Sequence, residues 1–156
     1  MKNIAPLLEG LSQTPRLLKE LILEFPEEKR IEQVMPGKWS LHEHAVHMAI
    51  SDVYGFQKRL RQFLEEDVPV IEPLSGDTFD KDFFIKKDLM NALDDFFPMR
   101  QETIELAQQF PNGLLDKRAN HPEYEVYTPY IMLRHLLMHD MYHMYKIEDL
   151  GFGITF

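Results

Sequence analysis

The chain has 156 residues, of which 17 are basic and 26 acidic, for a net charge of −9, and it contains no cysteine. That length suits one compact domain, expected over residues 1–156, with a core of its own. The missing cysteines exclude a disulfide framework, a thiolate metal site and a protein-borne thiol nucleophile, and an acidic balance with no basic stripe argues against nucleic acid and anionic membranes as partners.

No stretch approaches the roughly 18 to 20 apolar residues of a spanning helix. The first ten residues lack the basic, apolar and small-residue order of a signal peptide, so the expectation is a cytoplasmic protein. The first segment places Ile4, Leu7, Leu8, Leu11, Leu18, Leu21, Ile22 and Phe25 at helical spacing. This phase survives Pro15 in either of two arrangements. One is a single helix kinked at Pro15; the other is a helix that starts there, with Thr14 as its cap.

After Pro36-Gly37-Lys38 comes Trp39-Ser40-Leu41-His42-Glu43, which carries a clear helix start. Ser40 can accept from the Glu43 amide while the Glu43 side chain reaches back to the Ser40 amide, a capping box. Trp39 before the cap and His44 four residues beyond it have the geometry of a staple. The helix is expected from Leu41 to about Glu65, burying Val46, Ala49, Ile50, Val53 and Leu60. From Glu66 to Asp82, Pro69, Pro73 and Gly76 predict a long acidic loop of the kind that borders a site.

A third helix is expected over Lys86 to Gln109, with Pro98 kinking or splitting it. A second loop, Pro111 to Tyr127, carries His121-Pro122. The last helix opens at Thr128-Pro129 and should stop at Gly151. It is apolar almost all round, which calls for burial on more than one side by other helices or a partner subunit. The tail Gly151 to Phe156 is apolar enough to dock. With no strand pattern, the reading is all-α: a four-helix bundle with long connections between its helices.

The histidines carry the chemistry. His139 and His143 lie four apart on one helix face, about 6 Å along the axis, so their side chains can share one ion; His135 and His139 can do the same. His135 and His143 are too far apart for all three to serve one ion. On the second helix, His44 and His47 are both available, and spacing alone does not choose. His42 and His44 read as ordinary residues of the helix start, His44 packing on Trp39. Three imidazoles on a divalent cation leave a coordination position open, as in catalytic rather than structural sites.

Trp39-Ser40-x-x-Glu43-x-x-x-His47, followed by His139-Asp140-x-x-His143, resembles the DinB-like superfamily, which includes the YfiT-type metal-dependent hydrolases. The likeness spans nearly the whole chain. It implies a four-helix bundle of unusual connection order, a divalent metal, commonly nickel or zinc, held by His47, His139 and His143, and a homodimer. Relatives with known reactions include thiol-dependent transferases and a maleylpyruvate isomerase. Where many relatives have Gln three residues after the last ligand, this chain has Lys146, so no single relative's substrate transfers.

The expected function is therefore metal-dependent hydrolysis or transfer of a low-molecular-weight thiol, on a small molecule, with water or a substrate thiolate in the open position. A thiol route needs the thiol as cosubstrate, because the chain has none. Glu43, one turn before His47, is the candidate outer carboxylate or proton-transfer group, competing with its capping role. Asp140, adjacent to His139, should point about 100° away and meet another helix or solvent. Tyr142 and His121 are candidates for the mouth of the site. The competing reading is a non-catalytic dimeric helical module. DNA binding is disfavoured by the charge of −9.

Overall fold

The structure is a computed structural model that describes residues 2–72, 79–80 and 82–153. Its first helix, α1 (Ala5–Leu23), runs unbroken through Pro15, so Thr14 is an interior residue and not a cap. A proline there frees the carbonyl of Leu11, which would otherwise stand unpaired inside the bundle. Two groups replace the missing amide: the Thr14 hydroxyl donates to Leu11 O at 3.0 Å, and Arg100 Nη1 donates at 3.3 Å.

A short helix, α2 (Glu27–Ile31), leads to α3 (Leu41–Ser51), which opens with the expected capping box: Ser40 Oγ accepts from the Glu43 amide at 3.3 Å, and Glu43 Oε2 accepts from the Ser40 amide at 2.8 Å. The helical path then passes through a π turn at Asp52–Phe56 into α4 (Gln57–Glu65). The wider turn shifts the inward register by a residue. Asp52 and Phe56 therefore point inward, whereas Val53, expected in the core, is exposed.

The third long helix, α5 (Leu89–Gln108), starts later than periodicity suggested because Asp88 caps it, accepting from the Asn91 amide at 2.8 Å; it continues through Pro98. The last, α6 (Pro129–Phe152), is capped by Thr128 as expected. Its stop differs. Gly151 is helical, and Gly153 is the left-handed C-terminal residue at φ 67°. A glycine is needed at 151 for space: a Cβ there would lie 2.2 Å from the Phe25 ring. Residues 154–156 of the expected docking tail lie outside the described residues.

Helices α1 and α3 each pack against both α5 and α6. The consecutive pairs α1–α3 and α5–α6 therefore sit mainly across the diagonals of the bundle, and each connection must cross its end, which explains their length. Of the loop expected over Glu66 to Asp82, residues 73–78 and 81 lie outside the described residues; its start is tied to the connection before α6, where Ile71 N donates to Asn120 O and Asn120 N to Pro69 O, both at 2.8 Å. Two apolar clusters fill the interior. One gathers the α3 start with Phe25, Phe84, Phe96 and Ile147; the other gathers Leu11, Leu60, Phe63, Phe110, Leu133 and Leu136.

Between the clusters lies a buried polar layer with one contribution from each long helical path. Arg100 on α5, 1 % exposed, donates to Asp52 through Nε (2.7 Å) and Nη2 (2.9 Å), and through Nη1 to Asp140 Oδ2 (2.5 Å) and Thr14 Oγ1 (2.7 Å). Burial works against a charged guanidinium, but the carboxylates of Asp140 and Asp52 outweigh it and push its pKa upward. Among the described residues, no helix is long and apolar enough to cross a membrane.

Candidate metal centre

His47 projects from α3 and His139 and His143 from α6, two helices in direct contact. Each offers one ring nitrogen, and these three atoms lie within 4.8 Å of one another. The Nε2 atoms of His47 and His139 are 3.0 Å apart. Of the alternatives that spacing left open, the fold sets His143 rather than His135 beside His139 and brings His47 to both, while His44 lies against His143. His135 lies against Tyr124 instead, with ring centroids 5.0 Å apart.

The electrostatics keep two of these rings, those of His47 and His143, neutral. Burial first, then the neighbouring His139 and His44, lowers the pKa of His47 to about 3. Burial, then His139, His47 and His44, pushes His143 well below the usual imidazole range. A neutral imidazole presents a lone pair, which is the form a divalent cation accepts.

The surrounding residues fit such a donor set. His44 Nδ1 lies 2.9 Å from His143 Nδ1, so one ring donates to the other; with the proton on His143 Nδ1, its Nε2 is left as a free donor of electrons. His44 itself is pushed down to about 4, by burial and then by Lys146, and so stays neutral as an acceptor. On the other side, His139 Nδ1 lies 3.5 Å from Asp140 Oδ1. Both atoms are buried without a hydrogen-bond partner, and a small closure would pair them. Trp39 roofs the group, its ring centroid 4.8 Å from that of His47 and 5.3 Å from that of His44.

Asp140 meets other helices, as expected: its Oδ2 lies against Arg100 of α5 and Thr14 of α1, while Oδ1 sits 3.5 Å from His139 Nδ1. Burial works against its charge, but the Arg100 guanidinium, by its charge and its hydrogen bond, holds it below the usual carboxylate range. Glu43 is buried in its capping role, Oε2 accepting from the Ser40 amide and hydroxyl at 2.8 and 2.9 Å. His42 is a satisfied core residue, its Nε2 3.0 Å from Lys87 O.

The three imidazoles open onto a cavity of about 640 Å³ that is also lined by Phe56, Arg59, His121, Tyr124, Tyr127 and His135. His121 thus lines the mouth, as expected. Tyr142 lines a separate cavity with Lys146, whose ammonium sits 3.8 Å from Asp149. Sequence reasoning missed Arg59, Arg100 and Asp52. Charged residues on amphipathic helices look alike in sequence, and only the π turn brings Asp52 inward.

The family signature of the DinB superfamily matches residues 10–147, most of the chain. The chain belongs to the DinB superfamily. Among solved structures it is similar to YfiT from Bacillus subtilis, described as a probable metal-dependent hydrolase with an unusual four-helix bundle topology. The superposition has a TM-score of 0.82 at 19% identity and covers 96% of this chain and 87% of that one. At that identity the likeness establishes the fold alone. No curated protein matches the chain. Within this DinB-superfamily bundle, the three-His cluster is a property of the chain's own residues.

Proposed function

We propose that this DinB-superfamily chain is a metal-dependent enzyme acting on a small molecule, with a divalent cation, nickel or zinc, held by His47, His139 and His143. The observation that carries this reading is the convergence of three ring nitrogens within 4.8 Å at the edge of a cavity large enough for a small molecule. YfiT's description as a probable metal-dependent hydrolase supports it. A cation bound there supplies Lewis acidity, polarising a substrate oxygen or acidifying a water or thiol in the position that three ligands leave open.

The chain's own residues do the rest. Asp140 and His44 fix the rings of His139 and His143, Trp39 excludes water from one side, and Glu43 anchors the helix from which His47 projects. Glu43→Gln tests whether that carboxylate also moves a proton. Water suffices for hydrolysis; transfer requires a low-molecular-weight thiol from outside the chain.

The test is metal analysis of protein purified without a nickel column or tag. One divalent ion per chain, lost in His139→Ala, is the expected result. A wild type that is metal-free and fully stable overturns the proposal in favour of a non-catalytic helical module. The exposed face of α6, with Met138, Met141, Tyr142 and Tyr145, favours a homodimer under either reading, and sedimentation measures it. Electrophile turnover with and without added thiols then separates hydrolase from transferase.

A further inference from the structure

We propose that the end of the cavity beyond the three imidazoles is a subsite for the carboxylate of a small, ring-bearing substrate, with Arg59 as its anchor. This deepens the enzymatic reading by naming a substrate class, and it rests on that reading only for what happens to the bound molecule.

Arg59 comes from α4 and is half-buried, and its Nη2 donates to Glu72 O at 2.7 Å, which fixes the guanidinium. Among the described residues, no carboxylate forms an ion pair with it. It lies close enough to Tyr127, His121 and His135 for its charge to act on all three. A held guanidinium with spare N–H groups is the side chain best shaped for a planar carboxylate.

The neighbours add donors and an aromatic wall. His121 Nδ1 accepts from the Glu123 amide at 3.1 Å, so the proton of the neutral ring is on Nε2, which is a donor. The rings of His121 and Tyr127 have centroids 4.6 Å apart, those of Tyr124 and Tyr127 5.7 Å, and those of Tyr124 and His135 5.0 Å. This aromatic wall suits a planar body. His135 lies one turn before His139, about 6 Å along α6, so a molecule one ring long spans from the wall to the three imidazoles. The Glu123 carboxylate also lines the cavity, but as an exposed residue at its rim.

The test compares benzoate with benzyl alcohol, which keeps the ring and removes the charge, by ligand-observed NMR. His139→Ala is the background, because it removes a bound cation as an alternative acceptor of carboxylate. Benzoate should bind at least about tenfold tighter than benzyl alcohol, and Arg59→Gln should erase that preference. Arg59→Lys, which keeps the charge without the fork, should retain part of it and covers the case in which the glutamine variant melts early. Equal affinity of the two probes, no benzoate binding, or a preference that survives Arg59→Gln with native circular dichroism overturns the subsite. Metal content reads the three-His proposal separately: a metal-free wild type that still prefers benzoate sinks that proposal and leaves this one standing.

Discussion

His139 shows how much a single side chain depends on what stands behind it. Its Nε2 meets His47, while its Nδ1 is buried 3.5 Å from an Asp140 oxygen that is likewise unpartnered. Carboxylates in this position orient a ligating imidazole and raise its basicity, and losing one costs about 10- to 100-fold in metal affinity. Asp140→Asn keeps the shape and removes the charge. Chelator competition should therefore show divalent-ion binding weakened within that range, whereas unchanged affinity would assign Asp140 to the bundle alone.

Pro15 shows that element boundaries answer to partners as well as propensity. A mid-helix proline costs about 3 kcal/mol in isolation, yet α1 continues because Thr14 and Arg100 take over the freed Leu11 carbonyl. Gly151 makes the converse point. Replacing a helical glycine by alanine ordinarily stabilises by about 0.5 to 1 kcal/mol, but overpacking a core costs about 1 to 3 kcal/mol. With a Cβ falling 2.2 Å from the buried Phe25 ring, the second effect wins. Gly151→Ala should lower stability by about 1 to 2 kcal/mol in chemical denaturation; a more stable variant would show that Phe25 moves aside freely.

Across the whole molecule, the polar layer and the histidine cluster are continuous: Asp140 belongs to both. The cluster also makes the bundle acid-sensitive. His44 and His47 have folded-state pKa values near 4 and 3, below the ordinary 6.5, because burial opposes their charge. Below pH 6.5 the unfolded chain therefore takes up protons that the folded chain refuses, and stability falls as pH drops from there towards 4. Each histidine contributes a slope of up to about 1.4 kcal/mol per pH unit. Denaturation midpoints of metal-free protein should decline across that window and level off above pH 7. A flat profile between pH 7 and 4 would mean that these rings are not held neutral.

Local signals could be read from the chain alone: the Ser40–Glu43 box, the Thr128 cap and the four-residue step from His139 to His143 each rest on neighbours in sequence. They were enough for a helical bundle and, through the resemblance, a family. Setting His47 against His139, bringing Asp52 inward through a π turn, placing Asp140 between Arg100 and His139 and assembling Arg59 with the His121 loop all required the packed structure. Each depends on which faces of distant helices meet, and that is decided by burial summed over the whole core rather than by any local preference.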